Sequence, residues 1–150
     1  MVEMVGWLAS SGKTIQPSNH PTIISMKIRI QGNSIRLRLS QSEVEKLGKT
    51  GKVEEQIQFG TTEAETLRYI VESTGVREMG ATYADNKIKV FVPSKLVAEW
   101  VSTDLVSLDH EMSLGGGNTL RILVEKDFKC LTPRSGEDES DNFPNPNGNC

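Results

Sequence analysis

Apolar and polar positions alternate strictly where the readable part of the chain begins. In KIRIQGNSIRLRL, residues 27–39, a two-residue turn at Gly32-Asn33 puts Ile28, Ile30, Ile35, Leu37 and Leu39 on one face of a hairpin. Lys27, Arg29, Arg36 and Arg38 fall on the other face, so the period of two predicts paired strands with one side buried. The period then changes. SQSEVEKLGKTG has Ser40 and Glu43 at capping-box spacing, Val44 and Leu47 on one helical face, and Gly51 as a stop, which predicts a short helix. KVEEQIQF and TLRYIVE return to strand periodicity on either side of a polar stretch from Gly60 to Glu65.

The same series then recurs. Moving residues 32–72 forward by 53 superposes them without a gap on 85–125, matching Val44 with Val97, Val53 with Val106, Leu67 with Leu120, Arg68 with Arg121, Val71 with Val124 and Glu72 with Glu125. A gapless register with a matched apolar pattern reads as an internal repeat. The second copy carries a hairpin around Asp85-Asn86, a helix with Leu96, Val97, Trp100 and Val101, and strands near 105–112 and 119–126. In this register His110 takes the place of Ile57, and the Gly115–Gly117 loop is a hairpin connection. A lone ββαββ unit leaves one sheet face uncovered, whereas two related units cover each other. The predicted fold is α+β: two duplicated ββαββ units, about 27–72 and 80–125, forming a pseudo-twofold, mainly antiparallel sheet or barrel-like domain with two short helices.

The expected organisation is therefore one domain over 26–130, flanked by two segments outside the repeats. Residues 1–25 lack periodic apolar positions, and Met26 stands just before the first strand; we read them as a flexible leader or an upstream-assigned start. Residues 131–150 form an acidic, Pro- and Asn-rich tail with Glu137, Asp138, Glu139 and Asp141, a composition that favours solvation over packing. Within it, Phe143 and Pro144 are candidate anchors that would bring the tail acids towards the basic hairpin.

Charge adds one anomaly. The net charge of −3 gives no general attraction to polyanions, so anion binding has to come from a local patch. The first hairpin supplies one: Arg29 faces Arg36 and Lys27 faces Arg38, like charges placed opposite one another, which destabilises a sheet. The second copy has Thr82 facing Lys89, and Phe91 in place of Arg38, so the fold itself does not require the four cations. Lys27, Arg29, Arg36 and Arg38 are the anion-binding candidates; the structural alternative is neutralisation by Glu54, Glu55 or Glu72.

Other chemistry is sparser. Cys130, Cys150, His110 and Asp141 form a weak candidate set for zinc, with no CxxC spacing. Without a secretory signal the cysteines are expected to be reduced and the protein cytoplasmic. No nucleophile elbow, P-loop or isolated carboxylate pair nominates catalytic residues.

MKIRIQGNSIRLRLSQSEVEKL at one end, with VEKDFKCL, EDESDNFPNP and a near-terminal cysteine at the other, resembles a family of small bacterial proteins of unknown function. That resemblance spans 26–150 and carries no activity or cofactor. VFVPSKLVAEWVSTDLVSLD is also similar to swapped-hairpin transcription regulators, in which strands run into a Pro-led helix and then a hairpin; this implies a DNA-binding alternative, although the helix carries Glu99 and only Lys95 as a cation. The reading that results is a non-catalytic binding or regulatory module, without cofactor, whose basic hairpin meets an anionic ligand, acidic peptide or nucleic acid, with no membrane association. A zinc protein is the other alternative.

Overall fold

The computed structural model describes residues 25–129, 136 and 138–145. The described residues form eight strands and two α-helices: β1 (Lys27–Gln31), β2 (Ser34–Leu39), α1 (Gln41–Thr50), β3 (Lys52–Gln58), β4 (Thr66–Thr74), β5 (Gly80–Ala84), β6 (Lys87–Pro93), α2 (Ser94–Ser102), β7 (Ser107–Gly115) and β8 (Asn118–Lys126). A 3-10 turn, Glu63–Glu65, precedes β4. The α+β class, the mostly antiparallel pairing and the two short helices agree with the sequence pattern.

The strands form two sheets, in the orders β1-β2-β8-β7 and β3-β4-β6-β5, rather than one sheet or a closed barrel. Each sheet takes one hairpin from the first half of the chain and one from the second. The hairpins join through central parallel pairs, β2 with β8 and β4 with β6. Their registers correspond: Leu37 lies beside Val124, and Val90 lies beside Val71, the same pair shifted by 53.

One part of the gapless register does not survive. Val71 pairs with Val53, but Val124 pairs with Leu108 rather than Val106. Val53 and Leu108 are each 3% exposed, whereas Val106 is 41% exposed. Strand β7 is therefore displaced by two residues, so Met112, not His110, stands where Ile57 stands. The cause lies at the end of α2. Trp100, fully buried, donates its indole N–H to the Val106 carbonyl at 3.0 Å, so the connection bends around a ring in a position where α1 has Leu47.

Turn chemistry fixes the hairpin ends. Asp85 and Asn86 both have positive φ (51° and 61°), the left-handed backbone of a two-residue turn with a twist matching its strands. Gly115, Gly116 and Gly117 have φ of 91°, 61° and 83° in succession, a path that side-chain-bearing residues take only with strain. Gly115–Gly117 therefore makes a tight return.

The core lies between the sheets and beneath the helices. Leu37, Leu39, Val71, Val90, Val92, Ile122 and Val124 face inward from the strands, and Val44, Leu47, Val97 and Trp100 from the helices. Each such side chain contributes about 1.5–3 kcal/mol through removal from water. A Cβ on Gly48 would lie 3.2 Å from the Val101 methyl groups, so α1 and α2 approach closely there. At the start of α1, the Ser40 backbone N–H donates to the Glu43 carboxylate at 2.9 Å, the capping-box bond expected from the spacing. Burial is the largest influence on Glu43 and raises its pKa.

Candidate anion-binding site

The inward set on β1, β2 and β8 leaves the alternate positions on the outer face of the first sheet. Across that face Lys27, Arg38, Glu125 and Ser107 form one row, and Arg29, Arg36, Leu123 and Asp109 the next. Gln31, Ser34, Arg121 and Glu111 form the third. The expected like-charge oppositions, Lys27 with Arg38 and Arg29 with Arg36, are present in register.

Among the described residues, the carboxylates that reach the hairpin come from β8 and its continuation rather than from Glu54, Glu55 or Glu72, which belong to the other sheet. One oxygen of Glu125 receives both Arg38 Nε at 2.8 Å and Arg36 Nε at 3.3 Å. Buried Asp127 receives Lys27 at 2.9 Å. Exposed Arg29 makes no ion pair among the described residues.

Opposite Ser34, the parallel pairing adds Arg121 to this face. Asp109 grips it from one side, at 2.6 Å from Nη2 and 3.1 Å from Nε. The Arg121 hydrogen bond is the leading influence holding the Asp109 carboxyl below its ordinary range. Between the strands lies a hollow of about 190 Å³, lined by Arg29, Gln31, Ser34, Ile35, Arg36, Arg121 and Leu123. Among the described residues that lining has three guanidinium groups and no carboxylate. A second depression, of about 150 Å³, runs along Lys27, Ile28, Arg29, Arg36 and Arg38.

Two signals could have placed Arg121 there: its match to Arg68 in the repeat, and the hairpin exchange implied by the regulator-like segment. The separation is what concealed it. Arg38 and Glu125, neighbours on this face, are 87 residues apart in the chain.

The tail candidates lie beside the end of β8 and the start of α1. Phe143 packs on Phe128 with ring centroids 5.8 Å apart. Its N–H donates to the Asp127 carbonyl at 2.7 Å, and its carbonyl accepts from Lys129 N–H at 2.7 Å. Pro144 is exposed and makes no comparable contact. Asp141 turns to the start of α1, where its carboxylate accepts from the Ser42 N–H at 3.2 Å and from the Ser42 hydroxyl. Burial raises the Asp141 pKa, but the hydrogen bonds from Ser42 and Ser40 outweigh it and leave the net shift downward. Asp138 accepts from Ser140 N–H at 2.9 Å. The lining of the arginine hollow contains no described residue of the tail. Glu137 lies outside the described residues.

Of the metal candidates, Cys130 and Cys150 also lie outside the described residues. His110 sits on β7 opposite Ile122, and Asp141 caps α1. Among the described residues no three His, Cys, Asp or Glu side chains converge to hold an ion.

A family of unknown function (DUF7009) matches residues 26–147. The chain belongs to that family. The DUF7009 match takes in both hairpin pairs, both helices and the docked part of the tail, Asp141 and Phe143 included. No curated protein and no solved structure matches the chain. No helix among the described residues is long and apolar enough to cross a membrane.

Proposed function

We propose that this DUF7009 protein is a non-catalytic binding module that presents the outer face of its first sheet to an anionic partner. The observation that carries this reading is Arg29: exposed, without an ion pair among the described residues, directly opposite Arg36, and beside a hollow lined by three arginines. Cations held at such cost to the sheet support binding, because opposite like charges destabilise a strand pair. The test is retention on a polyanion column. Arg29→Ala with Arg36→Ala should elute at clearly lower salt than the parent, while Lys87→Ala with Lys89→Ala on the second sheet should leave elution nearly unchanged. Equal shifts for the two double variants would overturn the assignment to this face.

The corresponding registers at Leu37–Val124 and Val90–Val71 support a second element of the proposal. The two halves are copies of one ββαββ unit that exchange hairpins, with a two-residue slip confined to β7. Hairpin exchange is also what favours the alternative reading, a swapped-hairpin-like regulator whose partner is duplex DNA. Fluorescence anisotropy with a labelled duplex separates the readings: regulator-like binding gives an affinity that falls steeply as salt rises, with a slope set by the number of phosphates contacted.

A further inference from the structure

The arginine hollow is more selective than a basic face needs to be. Its three guanidinium groups come from three different strands, Arg29 on β1, Arg36 on β2 and Arg121 on β8, and meet around one depression. A planar guanidinium offers paired donors matched to phosphate oxygens, and several converging on one point select a compact anion over an extended one. The resident carboxylates leave this set under-neutralised. Glu125 is divided between Arg36 and Arg38, and Asp109 occupies one edge of Arg121. Arg29 has no ion pair among the described residues.

Size and wall chemistry narrow the ligand further. The hollow, of about 190 Å³ and partly open to solvent, leaves room for a phosphate group and a small organic body that extends outward. Among the described residues the wall contains no aromatic ring on which a base could stack. It does contain the Gln31 side-chain amide and the Ser34 hydroxyl, which donates to the Gln31 carbonyl at 2.6 Å and keeps its lone pairs for a ligand hydroxyl. Leu123 supplies a small apolar floor between Arg36 and Asp109.

Building on the anion-binding reading above, we propose that this hollow binds the phosphate monoester of a phosphorylated sugar or polyol. Arg29, Arg36 and Arg121 hold the phosphate, and Gln31 and Ser34 take hydroxyl groups of the body. A monoester carries about −1.5 to −2 charges at neutral pH, a better match to three clustered arginines than the single charge of a phosphodiester.

Titration calorimetry of the full chain at 0.15 M salt tests this with glucose 6-phosphate, inorganic phosphate, glucose and a short DNA duplex as probes. Glucose 6-phosphate should bind roughly tenfold or more tightly than inorganic phosphate, and glucose should show no heat. Arg29→Ala should weaken the sugar phosphate by roughly tenfold and Arg29→Lys by less, because lysine keeps the charge and loses the fork. Arg29 is exposed, and an unchanged circular dichroism spectrum verifies that each variant is folded. Duplex binding without sugar-phosphate binding would overturn this inference while leaving the anion-binding reading standing. Absence of heat with every phosphate probe would overturn both.

Discussion

The two sheets share a strand order and, apart from the two-residue slip in β7, a register, but treat their outward cations differently. Arg121 on the first sheet and Arg68 on the second are equivalent under the shift of 53, and each meets a carboxylate from the neighbouring strand, Asp109 or Glu54. On the second sheet the β3–β4 connection adds a 3-10 turn, and its Glu63 closes on Arg68 with two bonds of 2.6 and 3.0 Å. On the first sheet the corresponding connection is Gly115–Gly117, which has no side chain to offer. Lys89 lies 3.8 Å from Glu72 and 6.0 Å from the centre of the Phe91 ring, while its counterpart Arg36 shares Glu125 with Arg38. Ile70 is sealed at 2% exposure under the second sheet's charges, whereas Leu123 stays half-buried. The second sheet's β3–β4 connection thus supplies a carboxylate that the glycine return of the first sheet lacks.

The comparison is most severely tested in the core. Trp100 and Leu47 are equivalent under the shift and both are essentially inaccessible; Trp100→Ala should cost about 3–5 kcal/mol and Leu47→Ala about 2–5 kcal/mol in chemical denaturation. A neutral result at either position would break the equivalence of the two halves.

The helix starts give a smaller effect of opposite kind on the two halves. Asp141 caps α1 from the tail, while α2 begins after Pro93 with no side-chain cap bond. Asp141→Ala should cost on the order of 1 kcal/mol, as loss of a capping acceptor does. Because the folded pKa of Asp141 is depressed, its contribution is present above its unfolded pKa and is lost as pH falls through the lower folded value. The difference between parent and variant should therefore shrink on acidification below the ordinary carboxylate range, and constancy down to pH 2 would contradict the bond.

On the charged faces, Arg29→Thr copies the second sheet's Thr82. It should raise stability by a few tenths of a kcal/mol, through relief of the opposition with Arg36, while lowering polyanion retention. Stability and binding changing in the same direction would sink the idea that these cations are kept for a ligand. The smallest effect is expected from Glu63→Gln, which frees one side of Arg68. It should increase retention slightly and leave the melting temperature within about a degree, as exposed pairs contribute little.

Local features were legible in the sequence: both two-residue turns, both helices, the alternation on every strand and the like-charge opposition. Each depends on residues a few positions apart. The slip in β7 was hidden because the identity of Val53 and Val106 pointed the wrong way, and only the Trp100 bond to the Val106 carbonyl explains it. The hollow was half legible. Alternation identified Arg29 and Arg36, but Arg121 arrives through a parallel pair formed between the first strands and the last, which no local pattern encodes. Phe143 stood out as an aromatic ring in a polar tail, whereas the engagement of Asp141 by Ser42 had no signal beyond its charge.

The pairing of hairpins from opposite halves of the chain also governs how the chain reaches its native state. Neither sheet has its central pair until both halves exist, and the β2–β8 contact spans nearly ninety residues, as Arg38 and Glu125 illustrate at 87. Such non-local pairings are slow to form, so on the ribosome the first two hairpins emerge with their apolar faces and inner strand edges waiting for partners not yet synthesised. Two nascent chains held close together could satisfy each other's hairpins instead, with the same contacts drawn from different molecules. Crowded expression should thus yield a fraction of intertwined dimer, separable by size exclusion and slow to revert, whereas dilute refolding should yield monomer.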